Sequence, residues 1–168
     1  AEILRTMGSA DNNRSWYSMT LAEQGIPESF TDAELIAVDA ALETAKTTID
    51  GYPNRTDTPF ITIDAATTQD MDDALFASKT DNGWLLQVAI ADASAFITPG
   101  SPLDIAAQHR LTTTYLPGLT LPMLPEPLAN QAISLVEGEL RPAMIFELSI
   151  NTDGSVASCQ IVLANIKN

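Results

Sequence analysis

The spacing of apolar residues follows a helical period in the first third of the chain and a strand-like pattern after residue 60. Between residues 35 and 49 apolar side chains recur at alternating steps of three and four, which predicts a helix. Thr31 and Glu34 have the spacing of a capping box at its start, and Gly51 marks its expected end. Residues 1–27 show no clear period, and no element is predicted there.

Five short segments have the composition of β-strands, and two turn sequences join four of them into hairpins. The turns are Asp81-Asn82-Gly83 and Thr152-Asp153-Gly154-Ser155, whose residue types favour tight reversals. The predicted strands are residues 60–63, 74–79, 84–91, 143–151 and 156–166. Together with the helices, this pattern indicates an α+β fold in which a mixed or antiparallel sheet is flanked by helices.

Between the two hairpins, helix signals alternate with proline-rich sequence. Ser101-Pro102-Leu103-Asp104 supplies an N-cap, a proline in the first turn and an acidic residue, so a helix is predicted over residues 102–112. Residues 115–127 contain four prolines. Because proline cannot donate to a β ladder, an extended loop is predicted there. A short helix is predicted over residues 128–135.

Four aspartates, Asp64, Asp70, Asp72 and Asp73, lie within ten positions between two predicted strands. Their like charges repel one another, and partial burial would increase that repulsion. Acidic residues in a loop are most often solvated surface, and that interpretation stays open for this segment. The alternative is that a divalent cation offsets the repulsion, because the adjoining strands can aim the carboxylates at one point.

Composition limits which ion and which partner this segment can bind. The chain has one cysteine and one histidine, so a metal must be held by oxygen ligands rather than by thiolates or imidazoles. An EF-hand loop counted from Asp64 would need glycine at Gln69 and glutamate at Leu75, which disfavours a calcium-binding module. The net charge is −14 and the eight basic residues are scattered. A polyanion could therefore bind only if cations, or a basic surface outside this sequence, supplied positive charge.

The sequence also carries expectations about location. No apolar run approaches the roughly 20 residues that a membrane helix needs, and no signal-peptide pattern is present. We therefore expect a soluble, cytoplasmic protein that makes no membrane contact.

Five motifs in a fixed order carry a resemblance to a known family. They are Asp64–Leu75 with its four aspartates, Val88-Ala89-Ile90-Ala91-Asp92, Gly100–Asp104, Arg110–Gly118 and Pro122–Pro125. Together they resemble the catalytic RNB domain of the ribonuclease II family, most closely its bacterial exoribonucleases. The resemblance implies that residues 56–168 are the first part of an RNB-type catalytic domain, and that residues 1–55 are a segment with a helix leading into it. It also implies that the rest of the domain, with cold-shock and S1 modules, lies outside this sequence.

The resemblance implies a specific chemistry as well. Family members hydrolyse single-stranded RNA processively from the 3′ end to 5′-mononucleotides, with Mg²⁺ as cofactor and Mn²⁺ as a candidate substitute. By motif position, Asp64, Asp70 and Asp73 would help to hold Mg²⁺, and Asp72 would be the acid on which cleavage most strictly depends. Tyr115 matches the family tyrosine that packs at the 3′-terminal nucleotides, where stacking tolerates any base. Single-stranded RNA is the expected partner, and no obligate protein partner is inferred.

Two further expectations concern activity. Because the later half of the family's catalytic domain supplies further phosphate contacts, this chain alone is expected to be weakly active or inactive. The alternative function is that of a non-catalytic relative that binds RNA or a protein through the same scaffold. Retention of all four aspartates weighs against that alternative, since binding alone does not need a cluster of like charges.

Other polar and aromatic residues have simpler interpretations. His109 on the predicted helix is expected to be exposed or capping and is given no catalytic role. Cys159 is expected to be a core-facing thiol in a strand. Asp92 either faces the same cleft as the aspartate cluster or caps the turn at Ser94. The Trp16-Tyr17 pair either packs in the fold or stacks on bases, and the pattern favours packing.

Overall fold

The structure, a computed structural model, describes residues 13–168. It combines three α-helices, a four-stranded sheet and a two-stranded hairpin, with one 3₁₀ turn and one π-helical segment. Among these residues, none of the helices has the length and apolar content that crossing a bilayer requires. The elements, in chain order, are α1 (Asn13–Glu23), α2 (Asp32–Asp50), β1 (Asp73–Thr80), β2 (Gly83–Ala91), the 3₁₀ turn (Ala93–Ala95), α3 (Pro102–Arg110), β3 (Thr114–Leu116), β4 (Leu119–Leu121), the π-helical segment (Pro127–Ile133), β5 (Leu140–Asn151) and β6 (Val156–Lys167).

Helix α2 confirms the prediction made from its period and its cap. The Thr31 hydroxyl accepts from the Glu34 N–H at 3.3 Å, and the Glu34 carboxylate accepts from the Thr31 N–H at 2.7 Å. This reciprocal pair satisfies two N–H groups that the first turn leaves free. Val38, Ala41 and Ala45 line the buried stripe of the helix, so one face of α2 packs against the rest of the domain.

The four-stranded sheet is antiparallel throughout, in the order β1-β2-β5-β6. Both predicted hairpins are confirmed, and β1 and β2 pair continuously from Asp73 opposite Ile90 to Thr80 opposite Gly83. Gly83 has φ +142°, and a Cβ there would collide with the carbonyl oxygen of Ile150 on β5. Only glycine therefore fits where the turn meets the neighbouring strand.

Two buried clusters form the core. The first joins α2, α3 and the π-helical segment and includes Val38, Leu103 and Leu128. The second lies on one face of the sheet, where Ala89 and Ile145 pack with side chains from outside it, such as Phe60. The helices and the sheet therefore bury separate apolar surfaces, and the segment with the four aspartates runs into the second cluster.

The predicted strand at residues 60–63 is wrong except at one residue. Ile61 forms an isolated antiparallel bridge with Leu75, with N–O distances of 3.0 and 2.8 Å. The preceding Phe60 is buried and its N–H turns back to the carbonyl of Thr58. Ile63 is 79% exposed. The chain therefore touches the free edge of β1 once and then leaves it.

The predicted loop at residues 115–127 is also partly wrong, because it contains the β3–β4 hairpin. Thr114 pairs with Leu121, and Leu116 pairs with Leu119. Pro117 falls in the turn and Pro122 follows the last paired residue, so neither proline removes an N–H from the ladder. The predicted short helix is confirmed in place as the π-helical segment Pro127–Ile133.

Cys159 does not face a core in this structure. It is exposed, as are its neighbours from Val156 to Ile161. The β5–β6 hairpin extends past the buried cluster, so this part of β6 has no layer packed on either side. The prediction of a core-facing thiol is therefore wrong for the described structure.

Candidate active site

The four aspartates lie on a segment whose two ends are held together. The Ile61–Leu75 bridge closes residues 62–74 into a loop, and Asp73 is the first residue of β1. On the Asp70–Asp73 side the backbone is anchored by hydrogen bonds, and the Met71 N–H donates to the Ser134 hydroxyl at 3.0 Å. The Met71 carbonyl accepts from the Leu135 N–H and the Asp72 carbonyl accepts from the Ala91 N–H, both at 2.8 Å. The backbone under three of the four aspartates is therefore fixed to the sheet and to the residues after the π-helical segment.

The carboxylates themselves point mostly into solvent. Asp64, Asp72 and Asp73 are exposed, and Asp70 is partly buried. In the part of the chain that the structure describes, no three acidic, histidine or cysteine side chains come close enough to hold a metal ion. The four aspartates therefore lie on one anchored segment, but their carboxylates are not gathered around a single point.

Tyr115 and Asp70 are the two predicted residues that the fold brings into direct contact. They are 45 positions apart in sequence, and the Tyr115 hydroxyl donates to the Asp70 carboxylate at 2.7 Å. This hydrogen bond, with some burial and the negative charges of Asp70 and Asp72, raises the pKa of the Tyr115 phenol. The tyrosine is therefore held as a neutral donor. Its ring stays 65% exposed.

Two residues that the sequence did not single out for the site hold the β3–β4 hairpin that carries Tyr115. The Tyr17 hydroxyl on α1 donates to the Pro117 carbonyl in the hairpin turn at 3.1 Å. The guanidinium of Arg110, at the end of α3, donates to Ser29 O at 2.7 Å and to Pro122 O at 3.4 Å. It also lies 3.9 Å from the centre of the Phe30 ring. Burial lowers the pKa of Arg110. The hairpin is thus tied to α1 by Tyr17 and to the loop between α1 and α2 by Arg110.

The Tyr17 contact bears on the two interpretations of the aromatic pair at residues 16 and 17. Tyr17 is partly buried against the hairpin, as packing predicts, while Trp16 is 50% exposed.

Sequence reasoning missed the role of Arg110 because its partners are backbone carbonyls, which leave no residue-type signal.

A polar cleft of about 410 Å³ opens beside Tyr115 and Asp70. Across it, the Asn130 side chain on the π-helical segment donates to the Gln69 side chain at 3.2 Å. Its lining, as far as the described residues show, contains two carboxylates and no lysine or arginine. An anionic ligand would therefore need a cation to enter it. The lining residues are Thr67, Thr68, Gln69, Asp70, Thr113, Tyr115, Thr120, Pro122, Glu126 and Asn130.

Asp92 has a structural role. It is buried, and its carboxylate accepts from the Ser94 N–H at 3.0 Å and from the Tyr52 hydroxyl at 2.7 Å. Burial, followed by the hydrogen bond to Asp92 and its charge, raises the pKa of Tyr52 from 10.0 to about 12. The capping interpretation of Asp92 is therefore confirmed. His109 is exposed in the last turn of α3, also as predicted.

Comparison with protein-family models matches residues 54–168 to the RNB domain. This chain belongs to the RNB family. It is 41% identical to Exoribonuclease 2 of Vibrio vulnificus (strain YJ016) over 172 residues, which cover 99% of this chain and 25% of the relative. The chain therefore spans about a quarter of the length of the curated relatives it matches first.

Solved structures of RNB proteins show the same fold. The apo form of Mycoplasma genitalium RNase R matches with a TM-score of 0.77 and 30% identity, over 88% of this chain and 23% of that protein. The same RNase R in complex with ribose-methylated single-stranded RNA matches with a TM-score of 0.73 and 30% identity, over 85% of this chain and 23% of that protein. The predicted α+β class and the predicted family are confirmed.

Proposed function

We propose that this chain supplies the acidic part of the active site of an Mg²⁺-dependent exoribonuclease. The enzyme degrades single-stranded RNA processively from its 3′ end to 5′-mononucleotides in the cytoplasm, without an obligate protein partner. The contact between Tyr115 and Asp70 carries the proposal, because it joins two residues from different motifs of the RNB resemblance. Further support comes from the Exoribonuclease 2 relative at 41% identity and from the RNase R that was solved with single-stranded RNA.

The donor set fits a hard divalent cation in chemistry but is not assembled in the described structure. Carboxylate oxygens are ligands that Mg²⁺ accepts, and Mn²⁺ can use the same set. We assign Asp64, Asp70 and Asp73 to the metal, which requires their side chains to turn toward one another. When bound, Mg²⁺ would supply positive charge and lower the pKa of a coordinated water. We assign the most stringent catalytic role to Asp72, whose backbone is fixed on Ala91.

Substrate positioning depends on uncharged groups of the chain. The exposed ring of Tyr115 offers a stacking surface for a base, and in the described structure the hydrogen bond from its hydroxyl to Asp70 fixes the direction of the ring. Base stacking of this kind is sequence-tolerant, as a general exonuclease requires. The hydroxyl and amide groups of the cleft can bind ribose or base edges. The phosphates depend on cations, because the cleft itself is acidic.

A non-catalytic RNA- or protein-binding relative is the second candidate. One observation favours it, namely that no three acidic side chains converge among the residues described. The two functions differ in their response to metal. A nuclease should lose product release in chelator, whereas a binding module should be indifferent to Mg²⁺.

The test uses a full-length protein in which this chain replaces the matched quarter of the Vibrio vulnificus relative. Poly(A) labelled at its 3′ end is incubated with Mg²⁺, Mn²⁺, Ca²⁺ or chelator, and release of 5′-mononucleotides is measured. We expect release with Mg²⁺ and Mn²⁺ and none in chelator. Binding of RNA without release under every condition would support the non-catalytic relative.

The isolated 168-residue chain serves as the matched comparison in the same assay. We expect little or no release from it, because it spans only about a quarter of its relatives. Robust turnover by the chain alone would contradict the expectation that it lacks part of the site.

A further inference from the structure

The four-stranded sheet has a second face that is mostly apolar. Residues directly opposite one another in an antiparallel pair point to the same side. The register therefore places Ile90, Met144 and Leu163 in one row across β2, β5 and β6, and Val88, Phe146 and Ile161 in the next row. We call the side with these six residues the outer sheet face. It is opposite the face that carries Ala89 and Ile145 into the core.

Most of the outer sheet face is exposed although its residues are large and apolar. Ile161 is 59% exposed and Leu163 is 40% exposed, whereas Val88 and Phe146 are half-buried. Antiparallel sheets that meet water on one side normally alternate apolar and polar residues. The last residues of β2 and the first half of β5 do not alternate, since Val88-Ala89-Ile90 and Met144-Ile145-Phe146 are apolar at every position. Such strands have the composition of strands that are buried on both sides.

The chemistry of the outer sheet face selects a protein as its occupant. On the four strands as described, its charged residues are Asp73 and Lys79 on the edge strand β1, opposite Ile90 and Trp84, and Lys167 at the end of the edge strand β6, opposite Leu140. A face with only two lysines, on opposite edge strands and with an apolar surface between them, does not suit a nucleic acid or an anionic lipid surface. A contiguous apolar surface of this kind marks a protein interface.

The relatives carry further polypeptide that could supply this occupant, because they are about four times as long as this chain. We propose that the outer sheet face is the docking surface for a layer of amphipathic helices from the polypeptide that longer RNB proteins carry beyond the matched quarter. A helix layer is the usual cover for a sheet whose other face is already packed. The proposal does not depend on metal binding or catalysis, although Asp73 lies in the same row as Ile90, Met144 and Leu163, so the layer would border the acidic segment.

The test compares one substitution in two contexts. Ile161→Lys is made in the isolated chain and in the full-length protein that carries this chain in place of the matched quarter of the Vibrio vulnificus relative. Ser158→Lys is the matched control, because Ser158 is exposed on the same strand and pairs with Ser149 on the opposite face. Thermal unfolding is measured for each protein.

We expect Ile161→Lys to have a large effect in the full-length protein and a small effect in the isolated chain. In the full-length protein, Ile161→Lys should lower Tm by about 5 °C or more, because a buried lysine without a partner is strongly destabilising. In the isolated chain the same change should move Tm by less than about 2 °C, because the side chain already meets water. Ser158→Lys should be silent in both.

A second measurement needs no substitution and no folded fragment. Cys159 lies on the outer sheet face opposite Leu148, and its labelling by a maleimide can be followed by peptide mass spectrometry in the full-length protein. We expect labelling to be at least roughly tenfold slower than in denaturant. Labelling at the denatured rate, together with a silent Ile161→Lys, would overturn the proposal. A dimer of the isolated chain that Ile161→Lys abolishes, with no effect in the full-length protein, would assign the face to a second copy and would also overturn it.

Discussion

Two groups of aspartates in this molecule differ in what surrounds their carboxylates. Asp92 is buried and accepts from the Tyr52 hydroxyl and from the Ser94 N–H. Asp64, Asp72 and Asp73 are exposed, and within residues 13–168 their carboxylates accept no hydrogen bond. Asp70 lies between these extremes, because it is partly buried and accepts one bond, from Tyr115.

The difference shows how the same residue type serves structure in one place and ligand binding in another. A buried carboxylate is tolerated when donors satisfy it, and it then fixes the backbone around it. The exposed aspartates keep their lone pairs free and repel one another, so they contribute little to folding and remain available to a cation. Substitutions in the exposed group should therefore change activity, and substitution of the buried Asp92 should change stability.

The largest expected effect is on catalysis at Asp72. In the full-length protein described above, Asp72→Asn should lower mononucleotide release by roughly a thousandfold or more, because it removes a charge beside the reacting phosphate. RNA binding in Mg²⁺ should stay within about twofold, since stacking and the other acids are retained. Asp81→Asn, in the exposed β1–β2 turn, is the control and should leave both unchanged. Equal loss of binding and cleavage would contradict the catalytic role.

The second effect is on stability at Asp92. Asp92→Ala leaves the Tyr52 hydroxyl and the Ser94 N–H without their acceptor, and should lower the free energy of unfolding by about 2 kcal/mol. Asp64→Ala removes only an exposed charge and should change it by less than about 0.5 kcal/mol. Urea denaturation of the two variants at neutral pH measures both values. A destabilisation at Asp64 as large as that at Asp92 would erase the distinction between the groups.

Features of the fold that depend on neighbouring residues could be predicted from the sequence, whereas features that depend on distant contacts could not. Helix α2 and both large hairpins were predictable because a capping box and turn residues act within a few positions. The strand at residues 60–63 was not, because its pattern cannot show that the buried Phe60 turns the chain away from β1 after one bridge. The β3–β4 hairpin was missed because prolines were counted without their register, which places them just outside the paired residues.

In the candidate site, too, the residue types could be predicted from the sequence, whereas the contacts between them could not. The four aspartates and Tyr115 could be named from motifs, since motifs preserve residue type and spacing. The contact between Tyr115 and Asp70 spans 45 positions and depends on where Arg110 and Tyr17 hold the hairpin. The exposure of Cys159 depends on whether a layer covers the sheet, which no local pattern in β6 specifies.

A smaller effect on stability is expected at Tyr52, with a defined pH dependence. Its pKa rises from 10.0 to about 12 on folding, so the folded state keeps the phenolic proton more tightly than the unfolded state. The stabilisation is fully present below pH 10 and is lost as pH rises through 12. Tyr52→Phe should therefore cost about 1.5 kcal/mol at pH 8, and the difference from the parent protein should shrink as pH approaches 12. Denaturation curves from pH 8 to 11.5 measure it, and a constant difference would contradict the assignment.

The smallest effect concerns the Tyr115 hydroxyl, which donates to Asp70 at the proposed site. Tyr115→Phe keeps the ring for stacking but removes the donor to Asp70, so the Asp70 carboxylate no longer has to break that bond before it turns toward a cation. An exposed hydrogen bond of about 1 kcal/mol corresponds to a decrease of about fivefold in the Mg²⁺ concentration for half-maximal RNA hydrolysis. Tyr17→Phe is the matched control, because its hydroxyl binds the same hairpin at Pro117 O but contacts no acid. A higher Mg²⁺ requirement for Tyr115→Phe would show instead that the hydroxyl holds Asp70 in the orientation the cation needs.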